Sequence, residues 1–339
     1  MKVNSQVFRA YDIRGIVEEE LSDELVKNLG KAIGSLLRKN NSDALNVCRD
    51  GRLSGPHISQ LFIQGVLSTG CNVYNLDLGP TPLLYFSTFK TSVKNGVMIT
   101  GSHNPKNYNG FKIVVDQKPL SGESITEIKN LIESEDFICG EGKEQKIPLL
   151  ENYQNEIKSK IKLKKDLKIV LDCGNGAGGS VAPALFKDLG IELIELYSEV
   201  DGNFPNHHPD PGNPENLKDL IIKVKENKAQ LGIALDGDAD RLGVVDNLGN
   251  IIFPDQYMSL IADHILKNNS GRKIVFDVKC SSKLKESITK SKGIPIMTRT
   301  GHSFIKKEIL KQNAILGGEM SGHIFFNDDW YGFDDGIYS

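Results

Sequence analysis

At 339 residues the chain has room for two or three domains of roughly 100–200 residues each, and its 39% hydrophobic and 25% charged content fits a soluble globular protein. A net charge of −3 argues against a general affinity for nucleic acid or anionic membrane, while leaving room for a local basic cleft that binds phosphates. No apolar run reaches the about 20 residues that span a bilayer, and the N-terminus has no secretory apolar region; five scattered cysteines (Cys48, Cys71, Cys139, Cys173, Cys280), never spaced as Cys-x-x-Cys, argue against a disulfide framework or a zinc site and for the cytoplasm.

Residues 23–39 carry apolar positions at helical spacing (Leu25, Leu29, Ile33, Leu36, Leu37) behind Ser22 as N-cap. A short strand over 45–48 enters the turn Arg49-Asp50-Gly51-Arg52, and a helix over 58–69 and a strand over 72–78 follow. The buried strand 97–100 opens into Gly101-Ser102-His103-Asn104-Pro105; 111–115 is the next strand and 123–134 the next helix. Residues 137–146 are a polar connection. A second unit begins with a helix over 150–163, then a strand over 168–172 that enters a glycine-rich turn (174–179) and a helix. The strand 192–196, a proline-rich loop over 201–214, the helix 216–226 and the strand 231–235 lead to Asp236-Gly237-Asp238-Ala239-Asp240-Arg241. A third unit alternates helices over 255–267, 282–291 and 303–312 with strands over 273–277, 294–298 and 314–316. Strand–helix alternation in each unit predicts an α/β protein with largely parallel sheets, although no sequence-level repeat relates the units. At the chain's end, Asp334 and Asp335 suit the first turn of a helix and Ile337 and Tyr338 the start of its apolar face; the chain then stops, which reads as a cut.

The strongest chemical signal is the aspartate turn after the strand 231–235. Alternate carboxylates on a tight turn converge on one hard cation, Mg²⁺ or Ca²⁺. An EF-hand is rejected: its sixth position would be Arg241 rather than Gly, its twelfth Asn247 rather than Glu, and no helix precedes it. The bland alternative is an acidic turn capped by its own side chains. A second signal is Ser102 on a glycine-flanked turn after a buried strand, a good place to present a hydroxyl, with an ordinary Asn/Gly/Pro-rich turn as the alternative; the surrounding GSHNP lacks the GxSxG of a serine hydrolase. His103 adjoins it, but neighbouring side chains usually diverge. A third is Gly318-Glu319-Met320-Ser321-Gly322-His323, whose donors and acceptors suit vicinal hydroxyls, with an ordinary loop as the alternative. Arg9 and Arg14 near the N-terminus offer phosphate partners or ordinary surface charge. Gly174, Gly176 and Gly179 fall in GxGxxG register, yet no convincing acidic partner follows, so a tight strand–helix turn explains them better than a dinucleotide site. Lys279 and His302 end strands of the third unit and can face the same cleft.

Together YDIRG, TGSHNP, DGDADR, GHSFIK and GEMSGH, in that order from Phe8 to the last residue, resemble the phosphohexomutase family, its phosphomannomutase/phosphoglucomutase branch most closely. The resemblance implies three similar α/β domains with mixed, largely parallel sheets flanked by helices around a shared cleft: 1–148 with the phosphoserine loop, 149–250 with the metal loop and 251–339 with the sugar loop. It implies that Ser102 carries the phosphoryl group and that Asp236, Asp238 and Asp240 bind one Mg²⁺, with the Ser102 phosphate completing the shell. Arg14, His103, Lys112 and Arg241 are similar to residues that surround the phosphoserine and assist proton transfer. Lys279, His302, Glu319, Ser321 and His323 look like substrate contacts. The expected reaction interconverts hexose 1-phosphate and hexose 6-phosphate, mannose or glucose, through hexose 1,6-bisphosphate, which also serves as activator. Lys112 or His103 is the base; as the base, Lys112 would need partial desolvation.

The expected partners are small sugar phosphates, not nucleic acid or membrane, for a monomer or weak dimer. The family continues into a fourth, smaller domain that grips substrate phosphate. The reading of the end as a cut therefore carries the expectations of impaired activity and of an exposed apolar patch. Competing readings are a phosphoglucosamine mutase, whose usual GEQSGH differs at Met320, a non-catalytic sugar-phosphate or metal-binding remnant, and a phosphatase.

Overall fold

In the computed structural model, which describes residues 3–163 and 166–339, the first helix Asp23–Lys39 begins where Ser22 Oγ accepts a hydrogen bond from Leu25 N (3.3 Å). Asp23 and Glu24 in its first turn and Arg38 and Lys39 in its last complement the helix dipole, and its buried face runs from Leu25 to Leu37. It packs with the helices Gly55–Leu67 and Glu123–Ser134.

The chain divides into two compact units, one formed by Met1–Tyr153 with Asp201–Pro205 and the other by Gln154–Val200 with Asn206–Ser339. In the first, a mixed sheet runs in the order Ile13–Ile16, Tyr108–Val115, Gly96–Ile99, Ala44–Arg49, Asn72–Leu78, Glu144–Lys146, with Lys118–Pro119 paired to Tyr108–Val115. Gly96–Ile99, Ala44–Arg49, Asn72–Leu78 and Glu144–Lys146 are mutually parallel; the strands on either side of Tyr108–Val115 are antiparallel to it. The central strands are buried on both faces, so Leu45 to Cys48 and Gly96 to Ile99 are inaccessible without alternation, as parallel strands between helical layers must be. The helix Thr81–Lys90 has no counterpart among the predicted elements. Every residue from Thr81 to Thr88 is buried, so it lacks the polar stripe that reveals a surface helix.

The second unit holds two sheets. One runs Ile251–Ile252, Leu242–Asp246, Leu231–Leu235, Lys168–Asp172, Glu192–Leu196; the other runs Ile294–Thr298, Lys273–Asp277, Leu316–Gly318, Ile324–Phe326. In each, three parallel strands end in an antiparallel hairpin. The strand expected over 314–316 instead spans Leu316–Gly318, and its antiparallel neighbour Ile324–Phe326 was not predicted.

The three sheets share one device. A parallel strand (Gly96–Ile99, Leu231–Leu235 or Leu316–Gly318) turns at its C-terminal end into an antiparallel neighbour, and each turn is one of the three motif loops. The three α/β layers of the expected fold class are thus present, and the repeat lies in topology.

At the chain's end Asp335 caps a turn and not the expected helix: its Oδ1 accepts from Ile337 N (3.0 Å) and Tyr338 N (2.9 Å). Asp334 departs from that expectation. It is fully buried and ion-paired to Lys306 rather than serving a helix terminus. Among the described residues no helix is long and apolar enough to cross a membrane.

Candidate active site

In the first unit, Ser102 stands on the turn after Gly96–Ile99 with φ of +49°, in the left-handed region, and is 3% exposed. Its N–H donates to Thr100 Oγ1 (2.7 Å), which fixes the turn. Although adjacent side chains usually diverge, here Ser102 Oγ and His103 Nδ1 lie 3.2 Å apart. Lys112 sits on Tyr108–Val115 and is 6% exposed. Arg14 pairs in register with Gly110, two residues before Lys112, so the pleat places Arg14 and Lys112 on one face of the sheet. Arg14 is held by an ion pair with Asp12.

In the second unit, the turn between Leu231–Leu235 and Leu242–Asp246 buries Asp236, Asp238 and Asp240 completely and brings one oxygen of each within 4.8 Å of the others. The bland reading is partly realised: Asp236 Oδ1 accepts from Asp240 N (3.1 Å) and Arg241 N (3.2 Å), so the first carboxylate also shapes the turn. Two further carboxylates then converge on the same point, and an all-oxygen, anionic donor set suits a hard divalent cation. The glycine run at 174–179 serves this turn. A Cβ on Gly176 would lie 2.8 Å from Gly237 O and 2.9 Å from Gly237 Cα, and Ala177 N donates to Gly237 O (2.9 Å). The run lets two backbones touch, which accounts for the glycines without a dinucleotide.

Arg241 is the cation beside the triad, with Nε 3.9 Å from Asp236 Oδ2 and Nη1 3.9 Å from Asp210 Oδ1. Burial opposes its charge, but Asp236, Asp240, Asp210 and Asp238 outweigh burial and raise its pKa. Its Nε also donates to His323 Nε2 (3.0 Å), leaving the ring proton of a neutral His323 on Nδ1, which faces Asp334 Oδ2 (3.0 Å) and Asp240 Oδ1 (3.4 Å). His302 stacks on His323 with ring centroids 5.4 Å apart. Glu319 joins two loops: Oε1 accepts from Gly301 N (2.6 Å) and Oε2 from Ser321 Oγ (2.9 Å). Lys279 is exposed on the turn after Lys273–Asp277.

Asp277, at the end of that strand, was missed. It is fully buried and accepts from Met320 N (3.2 Å), Thr300 Oγ1 (2.8 Å) and Cys280 Sγ (3.1 Å), so it binds together the loops that carry Glu319, His302 and Lys279. An aspartate closing an apolar strand before a loop is the only local hint, and it does not show that the carboxylate is buried.

Asp172 plays a similar part at the end of Lys168–Asp172. It accepts from Gly174 N (2.8 Å) and faces His207 Nε2 (2.9 Å), while His207 Nδ1 faces His208 O (3.0 Å). Both ring nitrogens thus meet acceptors. Burial would lower the His207 pKa, but the Asp172 hydrogen bond and charge, with His208 and Asp219, raise it overall. A raised histidine pKa gives stability that is complete below the unfolded value, near 6.5, and is lost as pH rises through the folded value. His207→Gln is therefore expected to flatten the decline of melting temperature from mildly acidic to alkaline pH. An unchanged slope in a pH series of thermal melts would remove this role.

Family models match the chain in order: Phosphoglucomutase/phosphomannomutase, alpha/beta/alpha domain I over residues 5–138, domain II over 150–249 and domain III over 253–339. The chain is 52% identical over 333 residues to a phosphomannomutase/phosphoglucomutase of Pseudomonas syringae pv. tomato, covering 98% of this chain and 72% of that protein. It is 45% identical over 339 residues to a phosphoglucomutase of Neisseria gonorrhoeae, covering 99% of this chain and 74% of the relative. The X-ray structure of a phosphoglucomutase/phosphomannomutase family protein from Burkholderia thailandensis superposes with a TM-score of 0.97 at 43% identity, over 99% of this chain and 75% of that one. Descent and architecture agree with the three motif loops, and the chain belongs to the phosphoglucomutase/phosphomannomutase family, a family of sugar-phosphate mutases that are isomerases of the phosphotransferase type.

Proposed function

We propose that the chain interconverts hexose 1-phosphate and hexose 6-phosphate, with mannose or glucose as the hexose, through a phosphoserine at Ser102 and a hexose 1,6-bisphosphate intermediate that also serves as activator. The observation that carries this reading is the Ser102 turn, where a buried hydroxyl is presented in a left-handed conformation with an imidazole nitrogen 3.2 Å away. Phosphoryl transfer asks the protein for positioning and charge neutralisation more than for covalent work. A hydroxyl of the sugar attacks the phosphorus, the bond from phosphorus to Ser102 Oγ breaks, and the sugar hydroxyl proton must leave. His103, within reach of Oγ, protonates the departing serine oxygen, and buried Lys112 is the group offered for the sugar proton. Arg14 and Arg241 supply donors to phosphate oxygens. Asp236, Asp238 and Asp240 would hold one Mg²⁺, which when bound would supply charge neutralisation to the transfer at Ser102.

Lys279, His302, Glu319 and Ser321 are assigned to the sugar phosphate. Glu319 suits this because a carboxylate with one internal bond per oxygen keeps lone pairs for sugar hydroxyls. His323, expected as a fifth contact, has both ring nitrogens facing Arg241 and the carboxylates, which favours a role in holding Arg241 instead. We place the domain borders at 148 and 250, the first just before the helix Leu150–Lys160 and the second just before the short strand Ile251–Ile252, which still pairs with Leu242–Asp246.

The test is intact mass with peptide mapping after incubation with glucose 1,6-bisphosphate and Mg²⁺. The expected result is an added phosphate of about 80 Da on Ser102, absent from Ser102→Ala. An unmodified Ser102 would overturn the reading, and phosphate release without isomerisation would make the protein a phosphatase.

A further inference from the structure

We propose that Arg52, with Asp50 and Thr100, positions the phosphoryl-carrying serine by holding its loop in shape before any phosphate arrives; this rests on reading Ser102 as the carrier. Arg52 is one of the largest fully buried side chains of the protein. Its five N–H donors meet five acceptors. Nη2 donates to Ser102 O (2.8 Å) and Asn104 O (2.7 Å), Nη1 to Pro105 O (2.6 Å) and Tyr108 O (2.9 Å), and Nε to Asp50 Oδ2 (3.2 Å). Three of these acceptors are backbone carbonyls of the loop that carries Ser102, and a fourth is the carbonyl of Tyr108, where the next strand begins. A planar guanidinium can gather four carbonyls at once; a lysine ammonium, with three donors in a tetrahedral arrangement, cannot.

Asp50 works on the same loop from the other side of the guanidinium. Its Oδ2 accepts from Thr100 Oγ1 (2.7 Å) and Gly101 N (3.2 Å), and its Oδ1 accepts from Arg52 N (3.0 Å). Thr100 Oγ1 in turn accepts from Ser102 N (2.7 Å). An unbroken chain of hydrogen bonds thus runs from Asp50 through Thr100 to the amide of Ser102. Gly101 is glycine because of this packing: a Cβ there would lie 2.4 Å from Arg52 Cζ. The outer face of the guanidinium is covered by the Phe204 ring, 5.4 Å from Cζ, on the segment Asp201–Pro205 of the same unit. These groups touch the loop backbone and not the reacting atoms, so they are positioning residues. What they hold is a left-handed serine, a conformation that needs outside support.

The test compares Arg52→Lys and Thr100→Val with the wild-type chain in two measurements. One is the rate at which Ser102 takes up phosphate from glucose 1,6-bisphosphate in the presence of Mg²⁺, followed by intact mass over a range of bisphosphate concentrations. The other is amide hydrogen exchange of the unliganded chain. We expect the saturating uptake rate to fall by about 10- to 100-fold in both variants, with a smaller change in the half-saturating concentration. We also expect exchange to accelerate in 100–108 while the helix Asp23–Lys39 keeps its protection. Wild-type uptake and exchange in both variants would overturn the proposal. So would exchange raised equally across the first unit, which would make Arg52 a general support of the fold. Thr100→Val, nearly isosteric, keeps the question answerable if Arg52→Lys fails to fold. If the wild-type chain takes up no phosphate, the functional reading fails, and the exchange comparison still decides whether these residues shape the loop.

Discussion

Asp238→Asn is expected to raise the melting temperature of the metal-free chain while lowering mutase kcat by about 10³-fold or more. The two effects have one cause. Asp236, Asp238 and Asp240 are fully buried with an oxygen of each inside 4.8 Å of the others. At that separation and an effective dielectric of about 20, each like-charge pair costs about 3 kcal/mol. Neutralising one carboxylate removes two such repulsions and loses one attraction to Arg241, so the metal-free variant gains. The net gain is about 3 kcal/mol, which for a second unit of this size is an expected rise of about 6–12 °C. Asp238 is the position to change because Asp236 also holds the turn and Asp240 faces His323. Excess Mg²⁺ should close most of that gap, since a cation at about 100 times its Kd stabilises the wild-type chain by about 2.7 kcal/mol and the variant by less. Thermal melts in EDTA and in excess Mg²⁺ read both arms. A metal-free variant that melts below wild type would mean that Arg241 already neutralises the turn, and the triad would not be a cation site held ready.

Much of this architecture is legible in the residues themselves, and the illegible parts have physical reasons. The strands Asn72–Leu78, Lys168–Asp172 and Leu231–Leu235 and the helix Glu123–Ser134 fall where apolar runs and helical spacing put them. Thr81–Lys90 does not, because a helix buried all round carries no periodic contrast. Ile13–Ile16 does not either: four residues, two of them Arg14 and Gly15, make a strand only because Tyr108–Val115 offers a partner. The relation among the three layers is visible only as topology, since a turn from a parallel strand into an antiparallel neighbour constrains pairing and hardly constrains residue type.

The site divides in the same way. The groups proposed to meet substrate and cation sit together on short glycine-bearing turns, so Ser102 and the three aspartates stand out in the sequence. The groups that hold them in place do not. Arg52 reaches carbonyls about fifty residues away, and Asp277 collects donors from loops more than twenty residues on. No local pattern marks a charged residue as buried; only its distant partners do. Asp334 shows the cost of local reading. Beside Asp335 it looks like a second capping carboxylate, yet its partners are Lys306, His302 and His323.

That network yields the largest stability effect expected of a single substitution here. Asp334→Asn should destabilise the second unit by about 3–5 kcal/mol, because it leaves the Lys306 ammonium buried without its carboxylate. Asp334 Oδ1 lies 2.6 Å from Lys306 Nζ, and Oδ2 lies 3.0 Å from His323 Nδ1 and 3.6 Å from His302 Nδ1. Burial works to raise the Asp334 pKa, but Lys306, His323 and His302 together hold it well below the usual carboxylate range. A depressed carboxylate pKa gives stability that is present above the unfolded value, near 3.8, and is lost as pH falls through the folded value. The gap between wild type and variant should therefore be full at neutral pH and narrow only in strong acid. Adding Lys306→Met should return part of the loss, since the stranded cation is then gone and the double variant costs less than the sum of the singles. Urea denaturation at neutral and acidic pH, run as a double-mutant cycle, measures all three quantities. A loss below about 1 kcal/mol, the scale of an exposed ion pair, would show that Lys306 finds water or another acceptor once Asp334 is neutral, and that this pair is not what holds the loop carrying His323 against the aspartate turn.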